Sequence, residues 1–258
     1  MLSEKALGLM IVGFIIGTLS SLLGIGGGLL LVPAIVLLYH YKIHDAMAVS
    51  LAAMVPIVVL GGLIQIFVRQ ETIPYFPVII LILTGIVGSW LGVHWSHYLR
   101  HDQLTKLFSL LLVLLAIYVS GIFQTTSLLQ VNPSFFSLLL LGILGGIISG
   151  LFGISGGVVI VPLLNQMFGY SIQESAIISL LMLGPILIAG AYFHHTKGSL
   201  DKHLLALIVP FAFLGVVLGT YLSVFLAAQV IQYIFAIILF LIAFRLYYHE
   251  RKHPKVNS

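Results

Sequence analysis

The chain has 258 residues, 60% of them hydrophobic and only 7% charged, with a mean hydropathy of +1.20. Those values exclude a water-soluble globular class and point to an all-α polytopic membrane protein. Eleven lysines and arginines against seven acids give a net charge of +4, yet they stand singly between apolar runs, which argues for membrane topology and against a nucleic-acid partner.

Ten apolar segments can be drawn along the chain, at about 6–23, 29–40, 46–68, 75–97, 104–123, 135–152, 158–168, 174–195, 203–225 and 229–248. Eight are long enough, or nearly so, to cross a hydrocarbon core of roughly 30 Å as helices, which predicts about 8–10 helical segments. The first has only Lys5 ahead of it and no small-residue cleavage pattern behind it, so it reads as a span and not as a cleaved signal. The second and seventh are too short to cross. Each directly follows a glycine box: Gly24-Ile25-Gly26-Gly27-Gly28 before the second, Gly153-Ile154-Ser155-Gly156-Gly157 before the seventh. Short segments at corresponding places in two halves are the mark of broken helices or hairpins that meet near the membrane midplane.

The halves are copies. A shift of 129 positions lays Gly17, Ser20, Gly24, Gly27, Gly28 and Pro33 on Gly146, Ser149, Gly153, Gly156, Gly157 and Pro162, and further on Tyr41, Ser50, Pro56 and Gly61 meet Tyr170, Ser179, Pro185 and Gly190. Over this stretch roughly sixteen of about forty-five positions are identical, where the composition would give roughly four by chance. The reading is therefore a first transmembrane repeat over 1–123, an external linker over 124–134 and a second repeat over 135–258 with a basic tail.

Lysine and arginine set the orientation. If the tail bearing Arg245, Arg251, Lys252 and Lys255 is cytoplasmic, then Lys197, Lys202, Arg100, Lys106, Lys42 and Lys5 fall on the same side, and only Arg69 lies outside. Both termini are then cytoplasmic, each half makes an odd number of net crossings, and the two repeats have inverted topology. All eleven tyrosines lie within a turn or two of a span end, as do Trp90 and Trp95, which suits aromatic belts at both interfaces.

The boxes are the chemistry-bearing feature. Glycines let the backbone approach a ligand closely, and the amino end of the half-helix that follows presents unpaired N–H groups and a partial positive charge. Together they make an anion site without a charged side chain. The substrate-binding candidates are Ser20, Ser21, Gly24, Gly26, Gly27 and Gly28 from the first copy, with Ser149, Gly153, Ser155, Gly156 and Gly157 from the second. Pro33, Pro56, Pro162 and Pro185 are the candidate kinks or hinges. The competing reading of the glycines is close helix packing in lipid.

No charged residue lies well inside a segment, which argues against a voltage sensor or a carboxylate-based proton pump. Asp45 and Glu174 occupy matching helix starts, and Ser171 to Glu174 reads as a capping box. His194 and His195, at the inner end of the eighth segment, are candidates for proton coupling, although a wetted helix end is the plainer expectation. His94, His97 and His101 follow a helical spacing, but no carboxylate accompanies them, and the absence of cysteine removes thiolate sites, disulfides and cysteine nucleophiles. No metal site and no cofactor is expected. Gly153-Ile154-Ser155-Gly156 is similar to the nucleophile motif of rhomboid intramembrane proteases, with Ser155 as the serine. The first copy has Gly26 at that place, which favours a backbone role for the box.

The paired boxes, each running from its glycines to a proline five residues on, resemble those of the sulfite exporter TauE/SafE family, also called the toluenesulfonate uptake permease family, and the resemblance covers nearly the whole chain. It implies a secondary transporter of a small sulfur-containing anion, such as sulfite, sulfoacetate, thiosulfate or an organosulfonate, in a prokaryotic plasma membrane. It also implies proton coupling, and it places the box residues at the central site. The alternatives are an anion or small-solute channel and, more remotely, the serine protease. The expected partners are the anionic substrate and the lipid bilayer, with the oligomeric state left open.

Overall fold

The computed structural model describes residues 2–23, 27–39, 41–69, 75–119, 134–196, 202–222 and 228–252. These form ten helices and no strand: α1 (Leu2–Leu23), α2 (Gly28–Tyr39), α3 (Ile43–Arg69), α4 (Tyr75–Tyr98), α5 (His101–Val119), α6 (Phe135–Phe152), α7 (Gly157–Phe168), α8 (Ile172–Thr196), α9 (Lys202–Leu222) and α10 (Ala228–Lys252). In hydrocarbon every backbone amide and carbonyl must find a partner inside the protein, and a helix supplies those partners within one segment. Among the described residues, Ile43–Leu60, Tyr75–Tyr98, His101–Tyr118, Phe135–Phe152 and Ile177–Thr196 are long and apolar enough to cross a membrane. Helices α1, α9 and α10, of 22, 21 and 25 residues, have described apolar stretches over Ala6–Ser20, His203–Gly219 and Ala236–Leu246.

Helix starts lie a few residues ahead of the apolar runs at α3, α5 and α8, for a common reason. Their first turns are polar, with Asp45, Asp102 and Glu174 favourably placed near helix amino ends. At α8 the expected capping box is present: the Ser171 amide donates to Glu174 Oε2 at 2.8 Å, and the Glu174 amide donates to Ser171 Oγ at 3.1 Å. A second capping box at the start of α6 joins Ser134 and Ser137. The expected external linker over 124–134 lies outside the described residues except for Ser134.

Helix pairing repeats between the halves. Two pairs are packed most closely, α4 with α6 and α1 with α9, and both do so through glycine. A Cβ on Gly13 or Gly17 of α1 would run into the carbonyl oxygen of Ile208 or Ala212 on α9, while on α6 a Cβ at Gly146 or Gly150 would strike the carbonyl of Gly85 or Ser89 on α4. Numbers rise together in both pairs, so each pair is parallel. Small residues four apart allow this approach of backbones in lipid, where dispersion contacts replace the hydrophobic drive.

The third helices of the two halves, α3 and α8, also pack together. Gly190 lies by Leu51, Gly184 by Val59 and Gly62 by Leu180, so numbers rise in one helix as they fall in the other, and α3 and α8 run antiparallel. Around this centre the outer faces are apolar: Leu83, Phe136 and Tyr75 are 63%, 67% and 69% exposed, as a surface bathed in lipid requires. The short helix α2 is the reverse, buried over most of its length from Gly28 to Val36. At 12 residues each, α2 and α7 reach about 18 Å, well short of a bilayer core.

Candidate functional site

The second box is fully described and shows how the sequence bends the chain. α6 ends where Gly153 takes φ +67°, a left-handed conformation that a Cβ would strain, and its amide donates to Ser149 O at 2.9 Å. Side-chain space is missing as well, because a Cβ there would strike Met47 on α3. The chain then turns through Ile154 and Ser155, both with no solvent exposure, and re-enters helix at Gly157. Gly156 caps α7 without any side-chain hydrogen bond. Its carbonyl accepts from the amides of Val159 and Ile160, each at 3.1 Å, so the amides of Gly157 and Val158 precede the helical ladder, as first-turn amides do.

The first box shows the same bonding where it is described. Gly27 O accepts from the amides of Leu30 and Leu31, each at 3.1 Å, and these are the counterparts of Val159 and Ile160 under the 129-residue shift. Neither α2 nor α7 has an acid in its first turn, so nothing within either helix neutralises the positive end of its dipole.

The two boxes meet. A Cβ on Gly28 would come 3.1 Å from the Ile154 Cα, the Ser155 N and the Ser50 Oγ, which sets the amino end of α2 against the turn before α7. Ser50, from α3, donates its hydroxyl to Gly28 O at 3.4 Å. Helix α3 thus touches both boxes, Gly28 through Ser50 and Gly153 through Met47.

The other candidate residues divide by position. Ser20 is buried beside Gly27, where a Cβ would lie 3.1 Å from the Ser20 Cβ and 2.8 Å from the Ile16 Cγ2. Ser149 has no exposure, and its Oγ has no hydrogen-bond partner. The side chain of Ser21 and the residues Gly24 and Gly26 lie outside the described residues. Pro33 and Pro162 sit inside α2 and α7, and Pro56 and Pro185 inside α3 and α8; the helices continue through all four. His195 is exposed, but His194 has no solvent exposure, and its Nε2 bonds Gly150 O at 3.2 Å. That corrects the expectation of a wetted helix end for His194: α6 lies across the end of α8 there, which the sequence of α8 alone does not disclose. Met47 was not singled out from sequence, and Ser50 stood among the repeat matches without being named as a site residue. The signal for Ser50 was its exact counterpart, Ser179, in the other half.

Apolar helices around two short helices whose amino ends converge inside the protein define a multi-pass membrane protein of transporter build. The model for the family described as "Sulfite exporter TauE/SafE" matches residues 2–119 and 124–257, and the chain belongs to that family of membrane transporters. Among curated proteins it is 31% identical to a "probable membrane transporter protein" of Methanocaldococcus jannaschii, over 74% of this chain and 73% of that one. It is similar to two proteins of the same description from Bacillus subtilis: YdhB, 29% identical over 83% of this chain and 87% of that one, and YunE, 23% identical over 93% and 96%. No solved structure matches the chain.

Proposed function

We propose that this protein is a secondary transporter that carries a small sulfur-containing oxyanion, of the sulfite, sulfoacetate, thiosulfate or organosulfonate type, across a prokaryotic plasma membrane by alternating access with proton coupling. The observation that carries the reading is the junction of the two boxes, where Gly28 abuts Ile154 and Ser155. Two helix amino ends converge there without an acid in either first turn, an arrangement that favours an anion through backbone dipoles. An uncharged site of this kind holds its ligand modestly, which suits a carrier that must also release it. The sulfur chemistry is taken from the family description.

Alternating access draws its support from the duplication. Matching helices α3 and α8 run antiparallel and matching pairs α1–α9 and α6–α4 pack by the same glycine device, as two inverted repeats would, and one repeat rocking on the other exposes a central site to each side in turn. The distribution of lysine and arginine supports cytoplasmic termini, and the plasma membrane is taken from the family resemblance.

The test is flux in proteoliposomes across a panel of sulfite, sulfate, thiosulfate, sulfoacetate and taurine, with and without a pH gradient. Saturable uptake of one or more sulfur oxyanions that rises with an imposed gradient is the expected outcome. Flux indifferent to the gradient and without saturation would indicate a channel, and no flux for any member of the panel would remove the substrate class.

A further inference from the structure

Three histidines from three helices meet at one end of the bundle: His44 in the first turn of α3, His97 in the last turn of α4 and His194 near the end of α8. The His44 and His97 rings stack with centroids 5.0 Å apart, and His97 and His194 lie tilted with centroids 5.7 Å apart. The two outer members are held alike. His44 Nε2 bonds Ser96 O at 2.9 Å, and His194 Nε2 bonds Gly150 O at 3.2 Å. A carbonyl can only accept, so in both rings Nε2 carries the hydrogen and Nδ1 is left as the basic atom. In His194 that Nδ1 is buried with no hydrogen-bond partner, an arrangement that needs a reason.

We propose that the His44–His97–His194 cluster is the proton-binding site of this transporter, taking up one proton between the inner ends of α3, α4 and α8 and so linking protonation to the closure of that end. A single proton on the cluster can be shared or stabilised by a neighbouring ring, whereas a second would place like charges about 5 Å apart and drive the three helix ends from one another.

The surroundings leave the histidines as the groups to protonate. On α3, Asp45 follows His44, and the exposed Lys42 stands ahead of the helix. On α4, His94 turns to Trp90 and Tyr98 instead, with ring centroids at 5.7 and 4.9 Å. On α8, His195 is exposed, and α6, which supplies the Gly150 carbonyl, has no ionisable side chain. The start of α5 brings His101 and Asp102, and Asp102 faces Arg100 at 3.9 Å. Among the described residues no three His, Asp or Glu side chains converge as a metal would require.

The duplication adds an independent argument. Under the 129-residue shift His44 corresponds to Gln173 and His194 to Gln65. Both halves keep a hydrogen-bonding side chain at these places, but in each pair only the histidine has a ring nitrogen that can take up a proton, which a glutamine amide does not. The histidine end carries Lys42 and Arg100, the side assigned to the cytoplasm.

The glutamines also define the test, since His→Gln keeps a donor and removes the proton site. Histidine-selective nitrogen NMR of the protein in nanodiscs, from about pH 4 to about pH 8, should show the His194 ring protonating with a midpoint that moves when His97 or His44 is replaced by glutamine. A His194 signal that never changes, or that ignores both replacements, overturns the proposal without reference to any substrate. In proteoliposomes with radiolabelled sulfite, His194→Gln and His97→Gln should retain exchange of sulfite across the membrane at equal pH. They should lose the accumulation of about tenfold that one proton per anion allows for each pH unit of gradient. The link to transport rests on the proposed proton coupling, and the two fail differently. Wild-type exchange that ignores the gradient refutes the coupling, while gradient-driven accumulation that survives in both variants refutes the cluster.

Discussion

Gly28 acts through the side chain it lacks. A Cβ there would sit 3.1 Å from the Ile154 Cα and the Ser155 N, tight contacts that one methyl could relieve by small shifts and a larger group could not. Gly28→Leu is therefore expected to abolish sulfite flux by filling the space between the boxes, whereas Gly28→Ala should reduce it only in part; equal fluxes for the two in proteoliposomes would separate the junction from the transport site. Gly156 is more constrained, with a Cβ 2.7 Å from the Gly145 carbonyl oxygen, so Gly156→Leu should stop transport and also lower stability by about 1–3 kcal/mol through overpacking. Ser155 behaves otherwise. The first copy has Gly26 in its place, so Ser155→Ala should lower flux by no more than the roughly two- to tenfold that losing one modest hydrogen bond costs. A complete loss, accompanied by loss of cleavage of a membrane substrate, would favour the nucleophile reading. The box residues were legible because they repeat at a fixed distance. The histidine cluster was not, because its members stand at 44, 97 and 194 with no periodicity, and only packing shows that they touch.

At the scale of elements, the glycines split into two uses that the sequence could not separate. Those of the boxes turn the chain, as Gly153 does with its positive φ. Those at Gly13, Gly17, Gly146 and Gly150 bring helix backbones together. Because α1–α9 and α4–α6 use the same device, Gly17→Leu and Gly146→Leu should each separate a helix pair and lower the midpoint of thermal unfolding in detergent, by amounts similar to one another. A large effect at one and none at the other would mean that the pairs are not equivalent in load. Helix starts were less legible than helix existence, since an apolar run marks only where lipid begins, while the polar capped turn ahead of it is already helical. The Ser171–Glu174 box was readable because its spacing is fixed by the geometry of one turn, and Glu174→Ala should cost about 1 kcal/mol.

At the scale of the whole molecule, orientation is the property on which both proposals depend for direction. The histidine cluster faces the cytoplasm only if the inner ends of α3, α4 and α8 do, and the assignment comes from ten of eleven basic residues. The chain has no cysteine, so a single introduced thiol reports its own position. Tyr75 and Tyr98, 69% and 74% exposed, mark the two ends of α4. Phe135, 60% exposed, begins α6, and the exposed His195 lies at the far end of α8. A membrane-impermeant maleimide added outside intact cells should label Tyr75→Cys and Phe135→Cys, and should reach Tyr98→Cys and His195→Cys only after the membrane is opened. The pairing of ends tests more than direction, because α4 and α6 are parallel and must begin on the same side. Labelling of Tyr98→Cys and His195→Cys from outside would turn the molecule over, leaving the cluster's chemistry intact while moving its proton source to the other face. Labelling of Tyr75→Cys without Phe135→Cys would contradict the parallel packing of α4 on α6, and with it the duplicated arrangement from which alternating access is argued.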